Sequence, residues 1–175
     1  MNGSRSWEEC RLLMVYVKDE GCVQLQQGLT DTLLVAGASL LLSHGIRSSV
    51  CMEAYLKACS PSRMFRLRVE GSRVRGLAAM QTMVEGIVKN LLRRGSWHGI
   101  RLEEVDIDLG DAASLCGGSC LSAVEFLAGA AVRVECPNAI LIRDSDAKRA
   151  GLRPWWLAAA AIINYDLRCS PHECS

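Results

Sequence analysis

The sequence has no excess of charge of either sign. Lys and Arg number 20 and Asp and Glu 19, giving a formal charge of +1. No stretch groups basic residues with interleaved aromatics, so a nucleic-acid partner is not expected. Long apolar runs are also missing: the longest, such as Trp155 to Ile163, fall far short of the ~20 residues that span a bilayer, and no integral membrane anchor is expected. The first residues, Met1 to Glu9, place Glu8 and Glu9 where a secretory leader would carry its apolar core, which predicts residence in the cytoplasm. There is no internal repeat, low-complexity tract or linker, so a single domain is expected over residues 1–175, with 168–175 frayed.

The usual marks of catalysis are absent as well. No nucleotide-binding glycine loop precedes a helix, and neither a nucleophile elbow nor a metal-binding histidine pair occurs. His44, His98 and His172 are scattered, and Cys116 and Cys120 lack a second ligand pair, so neither a metal nor a cofactor is expected. Gly117-Gly118-Ser119-Cys120 would set a thiol at a helix start, but no histidine lies nearby in sequence to act as its base. It reads as a turn before a buried thiol. The acids Glu103, Glu104, Asp106 and Asp108 read as solvated surface groups. The chain is therefore expected not to be an enzyme.

What is present is apolar content, at 50%, and nine cysteines. The odd cysteine count and the apolar neighbours predict reduced, mostly buried thiols. Helical spacing is read over 7–27, 32–43, 50–58 and 62–92, the last punctuated by glycines. Gly95 to Gly99 reads as a turn, and Ile100 to Asp111 mixes alternation with helical spacing. Ser119 to Val134 is apolar nearly all round and predicts a helix buried at the centre of a bundle. Asn138 to Ala150 and Trp155 to Leu167 complete the set, the latter with Pro154 in its first turn. The expected fold is all-α, with seven or eight helices around a buried central one.

The segment Leu67-Arg68-Val69-Glu70-Gly71-Ser72-Arg73-Val74 is similar to the third homology (BH3) motif of the Bcl-2 family, with Ser72 in place of the acid. Gly117 to Gly129 resembles the family's first motif and central helix, with Cys120 where its arginine stands, and Leu152-Arg153-Pro154-Trp155 resembles the start of the second motif. A rival register begins at Leu33-Leu34-Val35-Ala36-Gly37, with Ser96-Trp97-His98-Gly99 as the first-motif turn. Degenerate motifs, compact size and the lack of a tail anchor look like the pro-survival homologues of large DNA viruses.

The resemblance implies a Bcl-2-like bundle that inhibits apoptosis by sequestering BH3 helices of pro-death proteins such as Bim in a surface groove. It implies a groove built from Val74, Ala78, Met83, Leu115, Ser119, Cys120, Leu121, Val124 and Phe126, and a BH3-like motif carried by Leu67, Arg68, Gly71 and Ser72. A cytoplasmic protein attached peripherally to mitochondria through its partners would follow, with a homodimer compatible. The alternative is an all-helical oligomerisation or scaffold protein without such a groove.

Overall fold

A computed structural model describes residues 10–42, 45–77, 81–114, 120–129 and 136–169. In chain order the elements are β1 (Leu12–Val17), α1 (Leu25–Leu40), β2 (Leu41–Leu42), β3 (Gly45–Ile46), β4 (Val50–Cys59), β5 (Ser62–Glu70) and α2 (Gln81–Arg94). There follow β6 (Ser96–Trp97), β7 (Ile100–Val105), α3 (Leu109–Ser114), β8 (Cys120–Ser122), α4 (Ala123–Ala128), β9 (Ala139–Arg143), α5 (Asp144–Arg149) and α6 (Pro154–Cys169). Seven strands form one mixed sheet in the order β6-β7-β5-β4-β1-β9-β8. Strands β4, β1, β9 and β8 run parallel, and β4, β5, β7 and β6 pair antiparallel.

The expected all-α, Bcl-2-like bundle is thereby overturned: the chain is an α/β protein. The segment read as a BH3 helix is strand β5, and the expected central helix over 119–134 is replaced, where described, by the strand β8 and the six-residue helix α4. The first expected helix, 7–27, contains β1; 50–58 is β4; 62–92 divides into β5 and α2; and 138–150 divides into β9 and α5. The pieces within α1 and α6 keep the expected form, with Pro154 opening α6, and the parts of the expected helices that fall on α2, α4 and α5 are helical as well.

The residues dictate this arrangement. Leu12 to Val17 is an unbroken apolar run, which suits a strand buried on both faces at the middle of a parallel sheet. Leu12, Met14 and Tyr16 point to one face, where α1, α2, α4 and α6 cover the sheet through Leu29, Leu33, Val88, Phe126, Ala158 and Ile162. Val15 and Val17 point to the other, with Tyr55, Met64, Leu141 and Ala112 of α3. In α4, a capping box between Ser122 and Glu125 satisfies the helix's first N–H groups.

The cysteines correct a second expectation. Cys10 is joined to Cys51, Cys22 to Cys59 and Cys136 to Cys169, and Cys120 is also disulfide-bonded. Cys10 and Cys22 flank β1, while Cys51 and Cys59 lie near the two ends of β4, so the central parallel pair is stapled at both ends. Each such bridge contributes about 2–4 kcal/mol. The apolar neighbours of these cysteines belong to strands that bring them together, which sequence spacing does not reveal. Cys169, expected to be frayed, is held at the end of α6 by Cys136.

Candidate functional site at the carboxyl edge of the parallel strands

In open α/β sheets, ligands bind outside the carboxyl ends of the parallel strands. Here β1 and β9 end side by side, Val17 opposite Arg143, and each apolar run passes directly into charge: Lys18-Asp19-Glu20 after β1 and Asp144-Ser145-Asp146 after β9. The carboxyl edge thus gathers ionised groups where the apolar strands β1 and β9 end.

Lys18 organises the site. Its Nζ lies 3.1 Å from Asp31 on α1 and 3.2 Å from Asp144 at the start of α5, and the Lys18 and Asp144 side chains are each only 12% exposed. The other Asp144 oxygen accepts a hydrogen bond from the buried Tyr16 hydroxyl. Asp19 fastens the same corner by accepting from the Ser145 backbone N–H at 2.9 Å and from its hydroxyl. Outside these, Lys148 and Glu20 form an exposed pair at 3.0 Å.

Burial pushes the Asp144 carboxyl above the ordinary carboxylate range, against the pull of the Tyr16 hydrogen bond and the Lys18 charge. For Lys18, burial works against the charge, but Asp144 and Asp31 outweigh it and hold the ammonium above its usual value. Lys18 is therefore a fixed positive charge near neutral pH, not an amine available as nucleophile or base. Burial, followed by Asp144, likewise raises the Tyr16 phenol well above 10.0.

The Tyr16 shift has a definite sign. A phenol whose pKa is raised by folding stabilises the fold fully below its unfolded value and loses that contribution as pH rises through the folded one. Stability is thus expected to fall as pH climbs past about 10, at up to ~1.4 kcal/mol per pH unit from this group. Tyr16→Phe should cost about 1.5–3 kcal/mol at neutral pH, because Asp144 loses a donor, yet flatten the alkaline decline. Urea unfolding at a series of pH values checks both parts; an unchanged alkaline slope would count against the buried tyrosine's role.

A cavity of about 440 Å³ opens over this network, lined by Lys18, Asp31, Asp144, Lys148, Arg153 and Trp155 among others. The Arg153 guanidinium lies 5.9 Å from the Trp155 ring centroid and forms no ion pair among the described residues. A larger hollow of about 960 Å³ lies beside Lys57, Arg63, Glu104 and Asp108. Its charges sit at the open surface, with Arg63 and Glu104 pairing at 52% and 53% exposure, so they are screened and hold little in place. The smaller cavity is the better site because partly buried charges and an aromatic surface converge there. Among the described residues, no group of three or more His, Cys, Asp or Glu side chains could hold a metal ion.

Neither the residues of the BH3-like motif nor those of the expected groove are gathered in this way. Leu67 is in the core of β5, while Arg68 is on its opposite face and pairs with Glu53 at 3.5 Å. Gly71 and Ser72 form the turn after β5, Val74 is buried beyond it, and Met83 is exposed on α2. Cys120 and Leu121 lie on β8, with Val124 exposed and Phe126 buried on α4. Strands β5 and β8 are four strand spacings apart, about 19 Å, so Leu67 of the BH3-like motif and Leu121 of the expected groove are not neighbours. Ala78, Leu115 and Ser119 lie outside the described residues.

Sequence reading missed Lys18, Asp31, Asp144 and Arg153. The available signal was the abrupt change from apolar run to charge after Val17 and after Ile142. No protein-family model matches this sequence, and no curated protein matches it.

Proposed function

We propose that the protein binds a small oxyanion-bearing molecule, a carboxylate or phosphate ester, in the cavity over Lys18, and that it acts by binding and not by catalysis. The observation that carries this reading is Arg153, a cation without a carboxylate partner among the described residues, set over the Trp155 ring at the wall of that cavity. Lys18 is already shared by Asp31 and Asp144 and holds the floor of the cavity in place, the exposed Lys148–Glu20 pair can exchange its carboxylate for the ligand's, and Trp155 offers an aromatic face to a flat group.

This reading replaces the sequestration of BH3 helices, because the motif on which that expectation rested lies on a strand and its described groove residues fall after β5, on α2, on β8 and on α4. The compartment is revised with it. No described helix is long and apolar enough to cross a membrane. The four disulfide-bonded positions on and around the central strands favour an oxidising compartment over the cytoplasm, where such bonds are reduced.

Thermal unfolding with inorganic phosphate, pyrophosphate or benzoate tests the proposal. At least one should raise Tm with increasing concentration, reaching about 2.7 kcal/mol of stabilisation at a hundredfold excess over Kd, and Arg153→Ala should remove most of that gain. No rise with any of the three, or an equal rise in Arg153→Ala, would refute it.

A further inference from the structure

We infer that the protein pairs with a second copy of itself through the outer face of α6. This helix is apolar on both sides. Leu157, Ala158, Ala161, Ile162 and Tyr165 are buried against the sheet, yet on the opposite side Trp156 is 62% exposed, Ile163 53% and Leu167 66%, with Leu152 just before the helix at 42%. No charged residue occurs from 154 to 165. A helix without a polar face belongs inside a structure, and here none of the described residues covers one side.

The spacing of the exposed residues identifies the occupant. Leu152 lies as far before the Ala159–Ala160 peptide bond as Leu167 lies after it, and Trp156 as far before it as Ile163 after it. Two copies of α6 crossing antiparallel about a two-fold axis at that bond set each Trp156 against the other copy's Ile163, and each Leu152 against the other's Leu167. This is the self-complementary pattern that an isologous dimer requires. At the axis stand Ala159 and Ala160, small enough for two helix backbones to approach closely.

The area also fits. The exposed parts of these four side chains amount to roughly 400 Å² of apolar surface per copy, given that a tryptophan alone buries up to about 250 Å². A standard interface covers about 800 Å² per partner, a little over half of it apolar. The patch therefore supplies the apolar centre of one such interface and is too small for a larger assembly.

Sedimentation velocity tests this. The wild-type chain should sediment at twice its 19.1 kDa mass, and Trp156→Glu or Ile163→Lys should each weaken the dimer roughly 30-fold or more. Both substitutions are at exposed positions, and circular dichroism checks that the fold is kept. Met83→Glu, at an exposed position on α2, should leave the dimer intact. Mixing the Trp156→Glu and Ile163→Lys chains should restore a dimer, because the new charges face each other only across the antiparallel pair. A monomeric wild type, failure of the mixture to recover, or a monomer that instead binds phosphatidylcholine vesicles through this face would overturn the inference. If either variant does not fold, the wild-type mass alone decides.

Discussion

Gly71→Ala is expected to cost more than about 3 kcal/mol of stability, well beyond what most single substitutions cost. A Cβ at this position would stand 2.2 Å from the Arg47 carbonyl oxygen and 2.2 Å from that of Val50. Both are backbone atoms, so no side chain can turn aside. The Gly71 N–H also donates to the Val50 oxygen at 3.1 Å, which ties the end of β5 to the turn entering β4. Relieving the clash would pull that turn away from the sheet. Gly86→Ala is the contrasting substitution, because a Cβ there meets nothing within 4 Å and the residue lies on the exposed side of α2. Alanine should stabilise it by about 0.5–1 kcal/mol. Urea denaturation of both variants checks the pair, and a loss at Gly71 below about 1 kcal/mol would show that the close approach is not as described.

Lys18→Met should be the second large loss, about 3 kcal/mol near neutral pH. Removing one partner of a mostly buried ion pair leaves the other charge uncompensated, and that penalty usually exceeds the worth of the pair itself. Here two carboxylates, Asp31 and Asp144, lose a shared cation together. Because burial already raises the Asp144 pKa, acidification should protonate it sooner in the variant and shrink the deficit. Adding Asp144→Asn to Lys18→Met should recover part of the loss, so the two effects should be far from additive. Additive losses in chemical denaturation would show that Lys18 does not act through Asp144.

The same residues show what the sequence made legible. Helix α6 was readable because it is longer than three turns and opens on Pro154, whereas α1 was readable only in its second half: the expected 32–43 helix begins well after its true start at Leu25, which Gln24 caps. The central strand was not, since six consecutive apolar residues fit a buried strand or a buried helix equally well. Strand β5 was legible in principle: Phe65-Arg66-Leu67-Arg68-Val69-Glu70 alternates strictly, with Leu67 and Val69 in the core and Arg66 and Arg68 on the other face. Reading Leu67 to Gly71 as a helical motif passed over that alternation. Gly71 has its own reason to be glycine, in the backbone it touches. The candidate site was hidden because Lys18, Asp31 and Asp144 are distant in sequence and meet only once the sheet aligns β1 with β9. The disulfides were hidden for the same reason, their partners being 33 to 41 residues apart.

Binding at the carboxyl edge is tested most directly by amide proton–nitrogen correlation spectra recorded while inorganic phosphate or benzoate is titrated in. Progressive, saturable shifts should concentrate at Lys18, Asp144, Lys148, Arg153 and Trp155, which line the cavity, and should vanish in Arg153→Ala. The strand residues Leu67 and Val69, on the other side of β4 from β1, should stay unmoved. Shifts spread evenly over the surface lysines and arginines, or centred on the hollow beside Lys57 and Arg63, would contradict the assignment of the ligand site to Lys18 and Arg153.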